Sequence, residues 1–285
     1  MGNGLITAVI CIDWIKSRKL TSCDMILGSL GISRFLFQCV TTGENFILPS
    51  SLENCDDILK ILFPLEVLLN FLCLWFATWL SVFYCVKITT FSHLLFLWMK
   101  QRISSLVPWL LIGSLFVSLG ISVPFVFTNH TFCRSNETFL RDPHQGRKFH
   151  VLTLYIGILY LLGLFIPFLI FMVSTSLLIT SLWRHTRRMQ REITNLLDPQ
   201  TKAHVVVIKS QISFAVFYFS YCVALLSTVI FYFHHNSNQS WINAVVISAY
   251  PSGHSVILIL LSSKLKQGSA KILTPPKCHL REQAS

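Results

Sequence analysis

Charged residues are scarce in this sequence. Asp, Glu, Lys and Arg make up only 12% of its 285 residues, whereas soluble domains contain about 25%. Hydrophobic residues account for 53%. A soluble protein of this length has too much surface to cover with so few charges, but a chain surrounded by lipid needs charge only where it meets water. The composition therefore excludes an ordinary soluble domain, a disordered chain and a collagen-like repeat.

The sequence also lacks the patterns that metal centres and membrane proteases need. Its nine cysteines include no CxxC pair and show no nearby histidine at zinc-ligand spacing. Intramembrane proteolysis would require two helix-borne aspartates, an HExxH zinc pair or a Ser/His dyad in a GxSG context, and none of these is present. We therefore expect no enzyme activity, no metal and no cofactor.

Long apolar runs, in contrast, are abundant. A bilayer core about 30 Å thick needs about 20 apolar residues in a helix. Six runs approach or exceed that length: Cys23–Val40, Leu59–Val86, Val107–Phe127, Val151–Leu182, Val205–Phe233 and Ile242–Leu261. A seventh run, Leu5–Ile15, is too short to cross a bilayer alone and begins almost at Met1. The runs predict an all-α membrane protein, a bundle of seven transmembrane helices whose first helix is truncated.

Basic and acidic residues are distributed unequally between the segments that connect the apolar runs. The segments after the first, third, fifth and seventh runs hold most of the 23 Lys and Arg residues, which predicts that these segments are cytoplasmic. The opposite side holds an acidic loop and three glycosylation sequons, at Asn129, Asn136 and Asn238. We therefore expect an extracellular N-terminus, a membrane domain over residues 1–261 and a cytoplasmic tail over 262–285. The net charge of +11 then belongs to cytoplasmic loops beside membrane lipids, and not to a nucleic-acid site.

Two classes of function fit a bundle with short loops and no appended domain. A receptor would couple an outer ligand to an inner partner, as the basic cytoplasmic face indicates. A polytopic transporter or channel subunit is the alternative, but transporters usually show repeated halves and broken helices that meet at the bilayer midplane. No internal repeat is visible, and the few buried ionisable residues, Arg34, Glu66 and His254, do not line up as a proton relay.

Motifs along nearly the whole chain resemble one receptor family. The stretches ATWLSVFYCVKITTFS at 77–92 and LFLWMK at 95–100 are similar to the third helix and second cytoplasmic loop of the bitter taste receptors, the type 2 taste receptors, which couple to G proteins. Further similar motifs lie at Gly2–Gly4, Leu30–Phe35, Leu177–Met189, Ala203–Phe214 and His254–Lys266. The rhodopsin-like signatures Asp/Glu-Arg-Tyr and Asn-Pro-x-x-Tyr are absent.

The resemblance implies a G-protein-coupled receptor of the plasma membrane. It would bind small bitter compounds in an outward-facing helical cavity and activate a heterotrimeric G protein of the gustducin type. The resemblance assigns the coupling surface to a region with Lys87, Lys100, His204 and Lys209, although anchoring by the positive-inside rule explains the same residues. A receptor relic, nonfunctional because its first helix is truncated, is a further alternative.

Four residues are the predicted ligand contacts. Glu66 and Asn70 are four residues apart and therefore share one helix face. The resemblance implies that Asn70, Tyr218 and Tyr221 are at pocket positions, and that the position of Glu66 often holds Trp. We therefore hypothesise that Glu66 makes the outer pocket acidic and favours cationic, amine-bearing ligands. The alternative for Glu66 is a protonated carboxyl group, or one paired with another helix, and for the tyrosines it is packing.

A second predicted cluster is structural. Arg34 costs about 2.5 to 3.5 kcal/mol in the middle of a helix unless polar partners satisfy it. The resemblance suggests partners on helix 1, through Asn3, and on helix 7, near Ser248 or Ser252. With Pro251, where a kink is allowed, and with His254, these residues would form a structural or activation lock. Simple packing also explains Pro251.

Two cysteines lie in the predicted outer, oxidising loops. Cys55 and Cys133 could form a disulfide there, although their spacing does not establish its geometry. The family is not generally tied by such a bond. In the family, the second outer loop, which here holds Asn129 and Asn136, is usually glycosylated.

Overall fold

The described part of the chain is entirely helical. The structure, a computed structural model, describes residues 2–47, 55–89, 94–138, 143–192, 199–234 and 240–273. These residues form eight α-helices and no β-strand. The helices are α1 (Gly2–Ser17), α2 (Ser22–Ile47), α3 (Cys55–Ile88), α4 (Leu94–Thr138), α5 (Pro143–Glu192), α6 (Pro199–His234), α7 (Ser240–Leu261) and α8 (Ser263–Leu273).

The predicted helical bundle is confirmed. Each of the seven apolar runs lies within one helix, and the order is the predicted one. Five helices, α2 to α6, contain stretches long and apolar enough to cross a membrane, and α7 with α8 makes a sixth if that bent pair is one span. α1 has 16 residues, fewer than the roughly 20 that a span needs. The protein is therefore a multi-pass membrane protein.

Helix α3 is the centre of the bundle. It packs against α2, α4 and α5, and most of its apolar stretch is buried. α4 and α5 instead expose most of theirs, including Trp109, Phe116, Leu169 and Val173. Because lipid solvates apolar side chains, these faces are suited to contact acyl chains.

Small and polar side chains fasten the helices to each other. A methyl group added at Gly163 of α5 would lie 2.6 Å from Cδ1 of Ile121, so only glycine permits this approach. The hydroxyl groups of Ser81 and Ser174 are 2.8 Å apart across α3 and α5. The indole Nε1 of Trp79 donates to Oγ of Ser114 on α4 at 2.8 Å. These contacts satisfy polar groups where lipid supplies no hydrogen bonds.

The two ends of the bundle differ in charge. Helices α1, α3 and α7 end at one end of the bundle, where α2 and α6 begin and where α8 is found. We call this the basic end. Its exposed lysines include Lys16, Lys19, Lys87 and Lys209. The opposite, acidic end holds Glu44 and Glu66. This separation follows the predicted sorting of charge. Which end faces the cytoplasm stays a prediction.

The predicted tail begins with a helix. α8 lies at 102° to α7, so it crosses the end of the bundle instead of prolonging α7. Leu265 is buried in a cluster with Val9 of α1, and Gly268 also lies against Val9. A methyl group at Gly268 would lie 2.6 Å from Cγ1 of Val9. Residues 274–285 lie outside the described part of the chain.

Candidate ligand site and helix lock

A hydrogen-bonded network joins three helices in the bundle interior. The hydroxyl group of Tyr221 on α6 donates to Oδ1 of Asn70 on α3 at 2.5 Å. Nδ2 of Asn70 lies 3.5 Å from the hydroxyl oxygen of Tyr160 on α5. Asn70 and Tyr221 are almost completely buried. The structure thus brings two of the predicted ligand contacts together, and it adds Tyr160.

Tyr218 lies one turn along α6 from Tyr221 and is fully buried. Its ring packs against Phe168 and Phe171 of α5, with ring centroids 5.2 Å and 5.7 Å away. Among the described residues, its hydroxyl group has no hydrogen-bond partner. A buried hydroxyl without a partner loses its hydration without compensation. Tyr218 is therefore a polar group that a bound molecule could satisfy.

Glu66 lies toward the acidic end of α3, and the other helices bury it only in part. Its Oε1 accepts a hydrogen bond from Oγ1 of Thr41 on α2 at 3.2 Å. Its carboxyl group also lies close enough to the carboxyl group of Glu44 for the two to interact electrostatically.

The Glu44–Glu66 pair lies near the tyrosine network. Glu66 interacts electrostatically with Tyr160 and Tyr221. Glu66 therefore has a partner on another helix, which was the alternative considered for it. It also lies beside Asn70 and the partners of Asn70. The arrangement combines aromatic side chains, a few polar groups and two neighbouring carboxyl groups, which are the features of a small-molecule site.

Arg34 is the largest of the fully buried side chains. Its Nη1 lies 2.7 Å from Nδ1 of His254 on α7, and its Nη2 lies 3.4 Å from the hydroxyl oxygen of Tyr250. Because the guanidinium group only donates, Nδ1 of His254 is the acceptor in this contact. The guanidinium carbon also lies over the rings of Tyr250 and Phe214, 5.4 Å and 5.6 Å from their centroids. The cation is thus held by α6 and α7.

The direct partners predicted for Arg34 are wrong in part. Nδ2 of Asn3 donates to Oε1 of Gln38 at 3.1 Å and to the carbonyl oxygen of Pro251 at 3.3 Å, and not to Arg34. Nε2 of Gln38 donates to the hydroxyl group of Ser252. One turn separates Arg34 from Gln38, so the polar side chains of α2 reach α7 at two levels. The predicted cluster of α1, α2 and α7 exists, but Gln38 makes the bond to Ser252.

At the basic end, the predicted coupling residues have different surroundings. Nζ of Lys100 donates to the carbonyl oxygen of Thr89 at 3.4 Å, just after α3 ends. Lys87 lies over the ring of Phe83, 6.0 Å from its centroid, and Lys209 is exposed. The side chain of His204 lies outside the described residues. The same limit applies to the side chains of Asn129, Asn136, Cys55 and Cys133, and to residue Asn238.

Several residues of these sites were not predicted from the sequence. Tyr250 precedes His254 by four residues and therefore shares its helix face, a signal that periodicity could have given. Tyr160, Glu44 and Gln38 carry no such signal, because their partners lie on other helices. Among the described residues no group of three or more His, Cys, Asp or Glu is arranged to bind a metal ion.

Comparison with known proteins identifies the family. The family model "Taste receptor protein (TAS2R)" matches residues 1–277. Taste receptor type 2 member 7 of Rattus norvegicus is 41% identical over 289 residues, which cover 99% of this chain and 92% of the rat protein. The Macaca mulatta protein of the same name is 38% identical over 288 residues, with coverages of 96% and 88%. Taste receptor type 2 member 1 of Pongo pygmaeus is also 38% identical over 288 residues, with coverages of 97% and 92%.

The match extends over the sequence motifs, the helical bundle and both polar clusters described above. The family is one of receptors and not of enzymes. From a family model that spans nearly the whole sequence, and from relatives that are similar over nearly their whole length, it follows that this chain belongs to the TAS2R family of taste receptors.

Proposed function

We propose that the protein is a bitter taste receptor of the plasma membrane that responds to small, cationic bitter compounds and activates a gustducin-type G protein. Membership in the family implies small-molecule ligands and G-protein coupling. The N-terminus is proposed to lie outside the cell and the C-terminus inside. This orientation is supported by the lysines at the basic end, which the positive-inside rule assigns to the cytoplasm.

The observation that carries the proposal is the unpaired hydroxyl group of Tyr218 beside the Asn70–Tyr221 bond. The ligand would enter from the acidic end and lie between α3, α5, α6 and α7. Phe168 and Phe171 would supply apolar contact, and the hydroxyl group of Tyr218 would bond to a polar atom of the ligand. Such a mixture of apolar walls and few polar groups is typical of small-molecule pockets.

The side chain of Tyr250 connects the proposed ligand pocket around Tyr218 and Tyr221 with the helix lock around Arg34. The ring of Tyr250 lies 4.9 Å from the ring of Tyr221 and 6.1 Å from that of Tyr218, measured between centroids. The same ring is in contact with Arg34. A ligand that moves Tyr218 or Tyr221 would therefore change the contacts of Arg34 with α7. Binding then favours one arrangement of α6 and α7 over another, which is the differential affinity that activation requires.

Replacing Glu66 tests the preference for cations. Glu66→Gln removes the carboxyl group that interacts with Tyr160 and Tyr221 but keeps the size of the side chain. Because a charge-assisted hydrogen bond contributes about 1.5 to 3 kcal/mol, we expect cationic agonists to lose roughly 10- to 100-fold in potency and neutral agonists to lose little. The measurement is the agonist concentration for half-maximal calcium signalling in cells that express the receptor and the G protein.

Glu44→Gln is the matched control for that experiment, because it removes a carboxyl group at the same end and leaves Glu66. We expect cationic agonists to keep their advantage in this variant, since the carboxyl group of Glu66 stays beside Tyr160 and Tyr221. Equal losses for cationic and neutral agonists in Glu66→Gln would refute the preference. Equal losses of cationic potency in both variants would refute a specific role for Glu66.

Two phenylalanine variants separate ligand contact from stability. Tyr218→Phe removes a hydroxyl group without a protein partner, so it should not lower stability but should weaken agonists that bond to that group. Tyr221→Phe leaves Oδ1 of buried Asn70 without this donor and should cost about 1 to 3 kcal/mol. The thermal unfolding of each purified receptor, measured without agonist, is compared with agonist potency in cells. A Tyr218→Phe variant that is less stable than Tyr221→Phe, or fully sensitive to every agonist, contradicts the assignment.

The lock makes a prediction about His254. His254→Leu removes the acceptor of Arg34 and leaves a buried charge, at a cost of about 3 to 5 kcal/mol. We expect little folded receptor at the cell surface. His254→Gln restores an acceptor, the side-chain carbonyl oxygen, and should recover surface expression in large part. Surface labelling of intact cells measures both. Equal expression of the two variants would show that the contact with Arg34 does not support the fold.

A further inference from the structure

A cleft opens at the basic end, away from the pocket and the lock. It has a volume of about 370 Å³ and lies where α1 ends, α2 begins and α8 starts. Three lysines and two aspartates provide its charged lining: Lys16, Lys19, Lys264, Asp13 and Asp24. Apolar lining comes from Ile10, Trp14 and Leu20.

One lysine makes ion pairs with both aspartates of the cleft. Nζ of Lys264 on α8 lies 3.0 Å from Oδ1 of Asp24 and 3.2 Å from Oδ2 of Asp13. Asp24 is fixed further by Thr21, which caps α2: its Oγ1 accepts from the backbone N–H of Asp24 at 3.1 Å and donates to Oδ2 at 2.7 Å. The ion pairs therefore connect α8 to α1 and α2 and give the cleft a defined shape.

Lys16 and Lys19 remain available to bind a ligand. Both side chains are exposed, and neither makes an ion pair or a side-chain hydrogen bond within the described part of the chain. Three lysines against two aspartates leave one positive charge in excess, and Lys264 alone holds both aspartates. The available cations are therefore Lys16 and Lys19, on the two sides of a tight turn.

The turn between α1 and α2 has a fixed conformation. Arg18 has φ of 54°, in the left-handed region. Oγ of Ser17 donates to the carbonyl oxygen of Lys19 at 3.0 Å, and the backbone N–H of Lys19 lies 3.3 Å from Oγ. These bonds hold the backbone of the turn, so Lys16 and Lys19 both project from the border of the cleft.

The position of α8 relates the cleft to the expected membrane surface. α8 crosses the end of the bundle at 102° to α7, which places it along the plane of the lipid headgroups if α7 crosses the bilayer. Trp14 and Leu20 are exposed to 53% and 41%, beside the two lysines. Tryptophan is enriched at this depth of a membrane, where an apolar ring meets polar headgroups. A lipid in the inner leaflet could therefore reach the lysines with its headgroup.

We infer that this cleft binds the phosphorylated headgroup of an anionic inner-leaflet phospholipid, with Lys16 and Lys19 as the phosphate ligands. The ammonium group of lysine binds phosphate through its compact positive charge and its hydrogen-bond donors. Anionic lipids are concentrated on the cytoplasmic side of cell membranes. The inference rests on the orientation given in the proposed function. Phosphate could also come from a soluble inositol phosphate, so the experiment must separate the two sources.

The test uses the full chain, purified in phosphatidylcholine nanodiscs. Dioctanoyl phosphatidylinositol bisphosphate is titrated, and bound lipid is counted by native mass spectrometry. The charge-neutralising double variant is Lys16→Gln with Lys19→Gln. Each lysine near the surface contributes a factor of roughly 5 in affinity, so this variant should bind the lipid about 25-fold more weakly. Added dioctanoyl phosphatidylcholine should not compete.

The matched control is Lys266→Gln with Lys271→Gln, which removes the same charge from exposed positions on α8 outside the cleft lining. We expect it to lose clearly less affinity than the cleft variant, because these lysines contribute only diffuse attraction to the headgroup. Equal losses in the two double variants would overturn the cleft as a site and leave only diffuse attraction. Competition by phosphatidylcholine, or by a polyglutamate peptide as effectively as by the anionic lipid, would overturn it as well. Thermal unfolding of each variant checks that it is folded.

Soluble inositol trisphosphate distinguishes the source of the phosphate. We expect it to bind much more weakly than the lipid, because it lacks acyl chains beside Trp14 and Leu20. Equal affinity would overturn the lipid assignment. The assay contains neither agonist nor G protein, so a loss of coupling would leave the lipid result unchanged, and absent lipid binding would leave agonist responses as evidence for the proposed function.

Discussion

Arg34 places a permanent positive charge inside the bundle, and no carboxylate contacts it in the described part of the chain. An unpaired buried charge would be prohibitively costly. The guanidinium group is instead stabilised by a neutral acceptor on His254 and by the faces of Tyr250 and Phe214. These residues come from α6 and α7, so the charge is satisfied only when α2, α6 and α7 keep this arrangement.

This constraint extends to the ligand site through Tyr250. Its ring contacts Arg34 on one side and lies close to Tyr218 and Tyr221 on the other. The hydrogen bond from Tyr221 to Asn70 then reaches α3, the centre of the bundle. A molecule bound among these side chains would perturb a cation that tolerates few arrangements. Under the proposed function, a change in these contacts would convert a small local change into a movement of α6 and α7.

The sequence predicted the helices and their order because apolar length and loop charge are set by the lipid and not by tertiary contacts. The family resemblance also assigned Asn3, Arg34, Pro251 and His254 to one cluster. The sequence could not give the direct partners, since Gln38, Tyr250 and His254 meet only through the rotation and tilt of helices that periodicity leaves undetermined. The exposure of Glu66 and its pairing with Glu44 depend on the same geometry. α8 was taken as part of a tail because its polar sequence gives no apolar run.

The central claim is that small molecules bound within this bundle activate a G protein. It is tested most directly with the purified receptor and a purified gustducin-type G protein in lipid vesicles, by measuring nucleotide exchange on the G protein with and without a bitter agonist. The account predicts that agonist accelerates exchange several-fold and that the compound does not accumulate inside the vesicles. Receptor-dependent uptake of the compound with no change in nucleotide exchange would contradict it and would indicate a transporter.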